Sequence, residues 1–324
     1  MKSDWRNMLR ILAFITIIAG CQEAVTHAQE AVPLAYGDMN QWVVREIKES
    51  AVIGGSTKFL YELGPVDTIV GNTAYSNRGG SPWANSNVLA KVGGVVKTNA
   101  SVFPESRGKG QCARMETRLE SVKVLGLIDI EVIAAGSVFL GKIHEPIKGT
   151  KNPQSMLESG ISFTKRPKAI RFDYKVKMAP EKQRVRSTGF SRKTTVEGAD
   201  EATAVLFLQK RWEDKDGNVY AKRIGTMVQR YTKSSGGWVN EATYPVLYGD
   251  ITAHPEYKSY MKIQVEERYT TNSKGKSVPI QETGWEGEHE TPTHIILQFS
   301  SSHGGAYIGS PGNTFWIDNV ALIY

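Results

Sequence analysis

Apolar and polar positions alternate along much of the chain. Ile170, Phe172, Tyr174 and Val176 interleave with Arg171, Asp173, Lys175 and Lys177. That period of two lays one face of a strand on a core and turns the other to water. Met261, Ile263 and Val265 interleave with Lys262, Gln264 and Glu266 in the same way and predict another strand. Further strands are predicted over 58–63, 113–118, 122–132, 202–212, 219–224, 226–231, 244–251, 294–299 and 315–324. Residues 122–132 are nearly continuous in apolar side chains, as in a strand covered on both faces. Asp216-Gly217-Asn218 has hairpin-turn chemistry and joins two of these strands. One short N-terminal helix is predicted over 39–50, with Asp38 as N-cap and Gly54-Gly55 as the stop. Many short strands, glycine-rich turns and scarce helix give an all-β class, a β-sandwich or jelly roll. No linker-like run and no internal repeat divides 33–324, so this stretch reads as a single domain.

The first residues break the pattern. Lys2, Arg6 and Arg10 precede the ten-residue apolar run 11–20. This is shorter than the roughly 20 residues of a membrane-spanning helix and suits the apolar region of a signal peptide. The run ends Ile18-Ala19-Gly20-Cys21, which resembles the bacterial lipobox. In that reading 1–20 is a lipoprotein signal peptide, Cys21 carries lipid, and 21–32 forms a short tether. The chain is then exported and anchored to the outer membrane, on its periplasmic or cell-surface side. The alternative is ordinary cleavage near Ala28. Export makes nucleic acid a poor partner, although the formal net charge of +7 would otherwise raise it. Two cysteines exclude a disulfide scaffold and a four-thiolate zinc site.

The charge is local. Residues 163–193 hold eleven Lys and Arg against only Asp173 and Glu181, so the rest of the mature chain is mildly acidic. Strand alternation accounts for about half of these cations. Arg184 and Arg186 fall outside it and are candidates for holding an anionic glycan, with a solvated basic face as the plainer reading.

Several segments together resemble the putative carbohydrate metabolism domain family. They are YELGPVDTIVGN (61–72), SPWANSNV (81–88), RGKGQCARMET (107–117), GISFTKRPKAIRFDYK (160–175), SSSHGGAYIGSPGN (300–313) and FWIDNVALIY (315–324). The resemblance implies a lipoprotein of the Bacteroidota with a jelly-roll sandwich similar to carbohydrate-binding modules and a role in glycan handling. GDMNQW (37–42) resembles the first strand of such modules, with Met39 and Asn40 replacing an aromatic residue and a glutamate. FWIDNV (315–320) resembles the last strand, whose aspartate often helps to bind a structural calcium. The resemblance thereby implies a calcium site from Asp318 with Asp38 or the Asn40 carbonyl. A carboxylate within an apolar strand needs such a partner, or else hydrogen bonds from backbone or arginine.

Sugar recognition uses flat aromatic faces beside groups that bond hydroxyls. Trp83 in a Gly/Ser/Asn-rich stretch, Trp285 beside Glu286, Glu288 and Glu290, and Tyr307 in HGGAYIG are the carbohydrate-binding candidates. Trp42, Trp212, Trp238 and Trp316 adjoin or lie within regular elements and read as core. No GxSxG, HExxH, Walker A or dinucleotide fingerprint is present. The sequence therefore points to a non-catalytic carbohydrate-binding accessory. A glycoside hydrolase on the same scaffold, with two carboxylates across a cleft, is the first alternative. A structural or adhesive surface protein is the second.

Overall fold

The computed structural model describes residues 30–77, 79–124, 128–149, 151–189 and 193–324. Two large sheets pack face to face. The first runs Val239–Pro245, Ala169–Lys177, Thr314–Ile323, Gly110–Glu116 and Val102–Arg107, with Ala31–Pro33 also along Thr314–Ile323. All of its pairings are antiparallel. The second is built around Ser137–Ile143, His294–Ser300, Ala202–Glu213 and Val219–Tyr231, with Ser277–Trp285 added in parallel. The turn at Asp216-Gly217-Asn218 closes as its sequence predicts. Gly217 takes a φ of 91°, and the Asp214 N–H bonds to the Asn218 carbonyl at 3.0 Å.

Alternation builds the core. Phe172 and Phe315 project from the first sheet and meet Phe299 and Tyr231 of the second. The Phe172 and Phe299 rings lie 4.9 Å apart, edge to face, and the Tyr231 and Phe315 rings 5.2 Å apart. Such pairs add about 0.5–1.5 kcal/mol to the burial of the rings themselves. The second sheet is covered on both faces. Ala204, Leu206 and Leu208 enter the main core, while Val205 and Phe207 join Val228, Ile251, Met261 and Ile296 on the other side.

Several predicted elements differ. The predicted strands 219–224 and 226–231 are one strand, Val219–Tyr231, and the predicted 244–251 breaks into the end of Val239–Pro245 and the short Leu247–Tyr248. Residues 42–48 form a strand, Trp42–Lys48, instead of a helix, and pair antiparallel with Thr57–Leu63 and parallel with Asp67–Val70. Val43, Arg45 and Ile47 are buried on alternate positions, and a buried arginine disguised that period. The predicted strand 122–132 is a hairpin, Arg118–Val124 against Ile128–Ala134. Met261 ends a short 3₁₀ turn, Ser259–Met261, and residues 262–268 make no strand. The Met261 carbonyl accepts from Arg223 at 2.9 Å, so a side chain replaces the ladder partner.

Arg45 is 1% exposed and lies between two carboxylates, with Nη1 3.0 Å from Glu62 Oε1 and Nη2 2.6 Å from Glu145 Oε2. Glu145 also accepts the N–H of Leu89 at 2.8 Å and of Tyr75 at 2.8 Å. One cation thus serves two buried acids. Burial pushes the Glu62 carboxyl up to about 8, with the nearby Glu145 charge adding to the rise and Arg45 opposing it. The cluster ties the hairpin beginning at Val88 to the body of the fold.

Candidate functional site

The outer face of the second sheet forms the floor of a cleft of about 660 Å³. Register sets the floor. Ser300 pairs with both Ser137 and Thr203, and Thr203 with Arg230, giving a polar row across four strands. The next row is Phe139, Gln298, Val205 and Val228.

Two hairpins wall the cleft. In Val88–Val92 against Val95–Asn99, the cross-strand pairs Val88–Asn99, Ala90–Lys97 and Val92–Val95 all line it. The opposite face packs Leu89 and Val96 on Ile47 and Leu60. The second hairpin contributes Glu120 opposite Val132. Lys97 Nζ stands 3.2 Å from Glu49 and 3.9 Å from Glu120, bridging the two walls. Burial raises the Glu120 carboxyl against the pull of Lys97 and Arg118.

The remaining rim comes from 259–269 and 302–307. The Arg230 guanidinium lies 4.1 Å from the Tyr260 ring centre and 2.8 Å from Glu201. Arg230 Nε and Asn99 Oδ1 are buried without a hydrogen-bond partner among the described residues. Arg268 is oriented by Gln298 at 2.7 Å and Glu266 at 3.1 Å. His303 Nδ1 is 3.1 Å from Asp200 and Nε2 is 3.1 Å from Arg184. The Glu201 N–H also approaches Nδ1 at 3.0 Å, so Nδ1 faces both a donor and the Asp200 carboxylate. Burial works to raise the Asp200 carboxyl, but hydrogen bonds from His303, Ser310 and Ser302 outweigh it and hold it below the usual range. Tyr307 has a φ of 64°, and burial pushes its hydroxyl up to about 12.

Of the three aromatic candidates, Tyr307 alone lines this cleft. Trp83 is 2% exposed, packs on Phe299 and donates its indole N–H to the Ala35 carbonyl at 2.8 Å. A ring closed off in this way has no face for a sugar, so Trp83 is a core residue. Trp285 is half-buried against the cluster around Phe207, outside the cleft lining. Arg184 reaches the cleft through His303, whereas Arg186 is exposed on the short strand Arg184–Arg186. Cys21 lies outside the described residues, and Cys112 is buried with its thiol pushed up to about 12 by burial.

The calcium set does not fit. Arg107 Nη1 sits 2.6 Å from Asp318 and 2.8 Å from Asp173, so a guanidinium already answers the charge that a metal would meet. Asp38 and Asn40 are exposed, and Asn40 Oδ1 is taken by the Gln111 N–H at 2.7 Å. Among the described residues no group of three or more His, Cys, Asp or Glu is placed to hold a metal ion.

Sequence reading missed Arg230, Tyr260, His303 and Gln298. Their strand or loop positions are ordinary, and only the register across four strands gathers them. The signal available was weak: Gln298 and Ser300 interrupt an otherwise apolar strand.

Fold and site together define an all-β sandwich with a ligand-sized cleft over one sheet. The chain belongs to the putative carbohydrate metabolism domain family, whose profile matches residues 66–323. Among solved structures it is similar to a putative glycoside hydrolase from Bacteroides thetaiotaomicron. The identity there is 17%, over 84% of this chain and 76% of that one, with a TM-score of 0.41. It is also similar to the CBM22-1 and GH10 modules of a Clostridium thermocellum endo-1,4-beta-D-xylanase complexed with xylohexaose. That likeness has 8% identity over 74% of this chain and 26% of the other, with a TM-score of 0.22. No curated protein matches the chain.

Proposed function

We propose that the protein binds carbohydrate in this cleft without cleaving it, as an exported accessory to glycan capture. One observation carries the reading. The volume lies within the roughly 300–1,000 Å³ of ligand sites, and its floor and rim carry the polar side chains of Gln298, Tyr260, Arg230 and Arg268. Charged lining residues are balanced, with Lys97, Arg230 and Arg268 against Glu120, Glu266 and Glu267. That balance favours a neutral glycan over an anionic one held by Arg184 and Arg186. Lipid at Cys21 would hold the domain at the outer membrane. Cys21→Ser should abolish metabolic labelling with palmitate, and persistent labelling would reject the anchor.

A glycan array probed with the full chain and with Arg230→Gln tests the binding reading. Specific signals that fall at least tenfold in the variant support it, and signals that Arg230→Gln leaves unchanged reject this cleft. One observation favours hydrolysis as a second reading: the raised Glu120 carboxyl shares the cleft with Glu266 and Glu267. A general acid needs such a shift. Both Glu120 and Glu266 are engaged by cations, however, and that supports a binding role. Release of reducing ends from a bound glycan, lost in Glu120→Gln, would decide for hydrolysis.

A further inference from the structure

The cleft has two chemically different ends, and their separation follows from the sheet. Arg230 lies three strands from Ser137 in the same row, about 14 Å at ordinary strand spacing. Ile143 lies six residues along the strand from Ser137, about 20 Å at the ordinary rise. Ile147 is joined to the first hairpin through Ala90. The Arg230 end is polar. The Ile143 end is mostly aliphatic, lined by Ala90, Val92, Val95, Ile147 and Leu157, all partly accessible instead of packed shut, with Lys97 opposite Ala90 drawn to Glu49 and Glu120.

Sugar hydroxyls gain nothing from such walls. Placing them against the aliphatic side chains strips their water and returns no hydrogen bond, and Lys97 there is already engaged by Glu49 and Glu120. A hydrocarbon chain gains free energy from the same contact. We infer that the cleft takes an amphipathic glycoconjugate, a sugar bearing one alkyl or acyl chain. The sugar lies against Arg230, Tyr260 and Ser300, and the chain lies between the hairpin walls. This inference rests on the carbohydrate-binding reading and names its ligand class.

The test is calorimetry on the full chain with methyl, hexyl, octyl and decyl β-D-glucosides, galactosides and mannosides below their micelle concentrations. 1-Octanol is measured in parallel. For at least one sugar, affinity should rise about fourfold per added methylene until the walls are filled. Val92→Asp should flatten that dependence. Val88→Thr, close to isosteric, should weaken the long chains without disturbing the fold. Glycosides that bind equally at all chain lengths would overturn the inference and leave the carbohydrate reading standing. Octanol binding as tightly as an octyl glycoside would overturn both, as would no binding by any glycoside or by the glycans of the array.

Discussion

Replacing Arg107 by Met removes a charge and keeps the alkyl stem. Arg107 Nη1 bonds two carboxylates at 2.6 and 2.8 Å, and their side chains, on Asp318 and Asp173, are 9% and 8% exposed. The guanidinium also covers the Trp238 ring at 3.9 Å from its centre. Removing one partner of a buried pair costs about 3–5 kcal/mol, because the other charge stays buried and unpaired. Arg107 is itself 18% exposed, and water reaching it places the loss near the low end of that range, about 3 kcal/mol. At about 2–4 °C per kcal/mol for large domains, the melting temperature should fall by about 6–12 °C. Differential scanning calorimetry at pH 7, with calcium and with EDTA, measures it. The wild type should melt at the same temperature in both, because Arg107 fills the place between the acids. A variant melting within about 1 °C of wild type, or a wild type stabilised by calcium, would refute the assignment of Arg107 as the resident cation.

Two further outcomes follow from the same geometry. The folded-state Glu62 carboxyl titrates at about 8, above its unfolded value, so the folded form holds the extra proton between about pH 4.5 and 8. Stability is greatest below that window and falls as pH rises through it, by up to about 1.4 kcal/mol per pH unit. Urea titrations across pH should show this slope in wild type and a flatter one in Glu62→Gln; equal slopes would contradict it. Gly141, at a φ of 145°, has no room for a Cβ because the Glu158 carbonyl occupies that place. Gly141→Ala should therefore lower the urea midpoint by the equivalent of about 1–3 kcal/mol, and an unchanged midpoint would show that the strand pair can shift.

The sandwich is largely legible in the chain, because one face of Ala169–Lys177 follows plain periodicity and Ala202–Glu213 opens on a continuous apolar run, as in a strand covered on both faces. The strand Trp42–Lys48 was not legible. Arg45 at a buried position breaks the apolar alternation, and its two acidic partners lie 17 and 100 residues away. Trp83 was misread for a related reason. A loop rich in Gly, Ser and Asn suggests exposure, yet its polar residues serve the core: Asn87 Nδ2 donates to the Tyr61 and Val102 carbonyls and its Oδ1 accepts two backbone N–H groups. Asp318 does need a partner within its apolar strand, and that partner is an arginine 211 residues away. Tyr307, in the glycine-rich loop, lines the cleft. The floor is a product of register, which local pattern does not encode.

The central claim is that the cleft over the second sheet is where carbohydrate binds. Calorimetric titration of a glycan identified on the array, into wild type, Tyr307→Gly and Trp285→Ala, tests it most directly. Tyr307→Gly removes a ring from the cleft at a φ of 64°, which glycine adopts without strain. Affinity falling at least tenfold in Tyr307→Gly and holding in Trp285→Ala is the predicted result. Affinity that survives Tyr307→Gly and is lost in Trp285→Ala would place the sugar elsewhere and contradict the account.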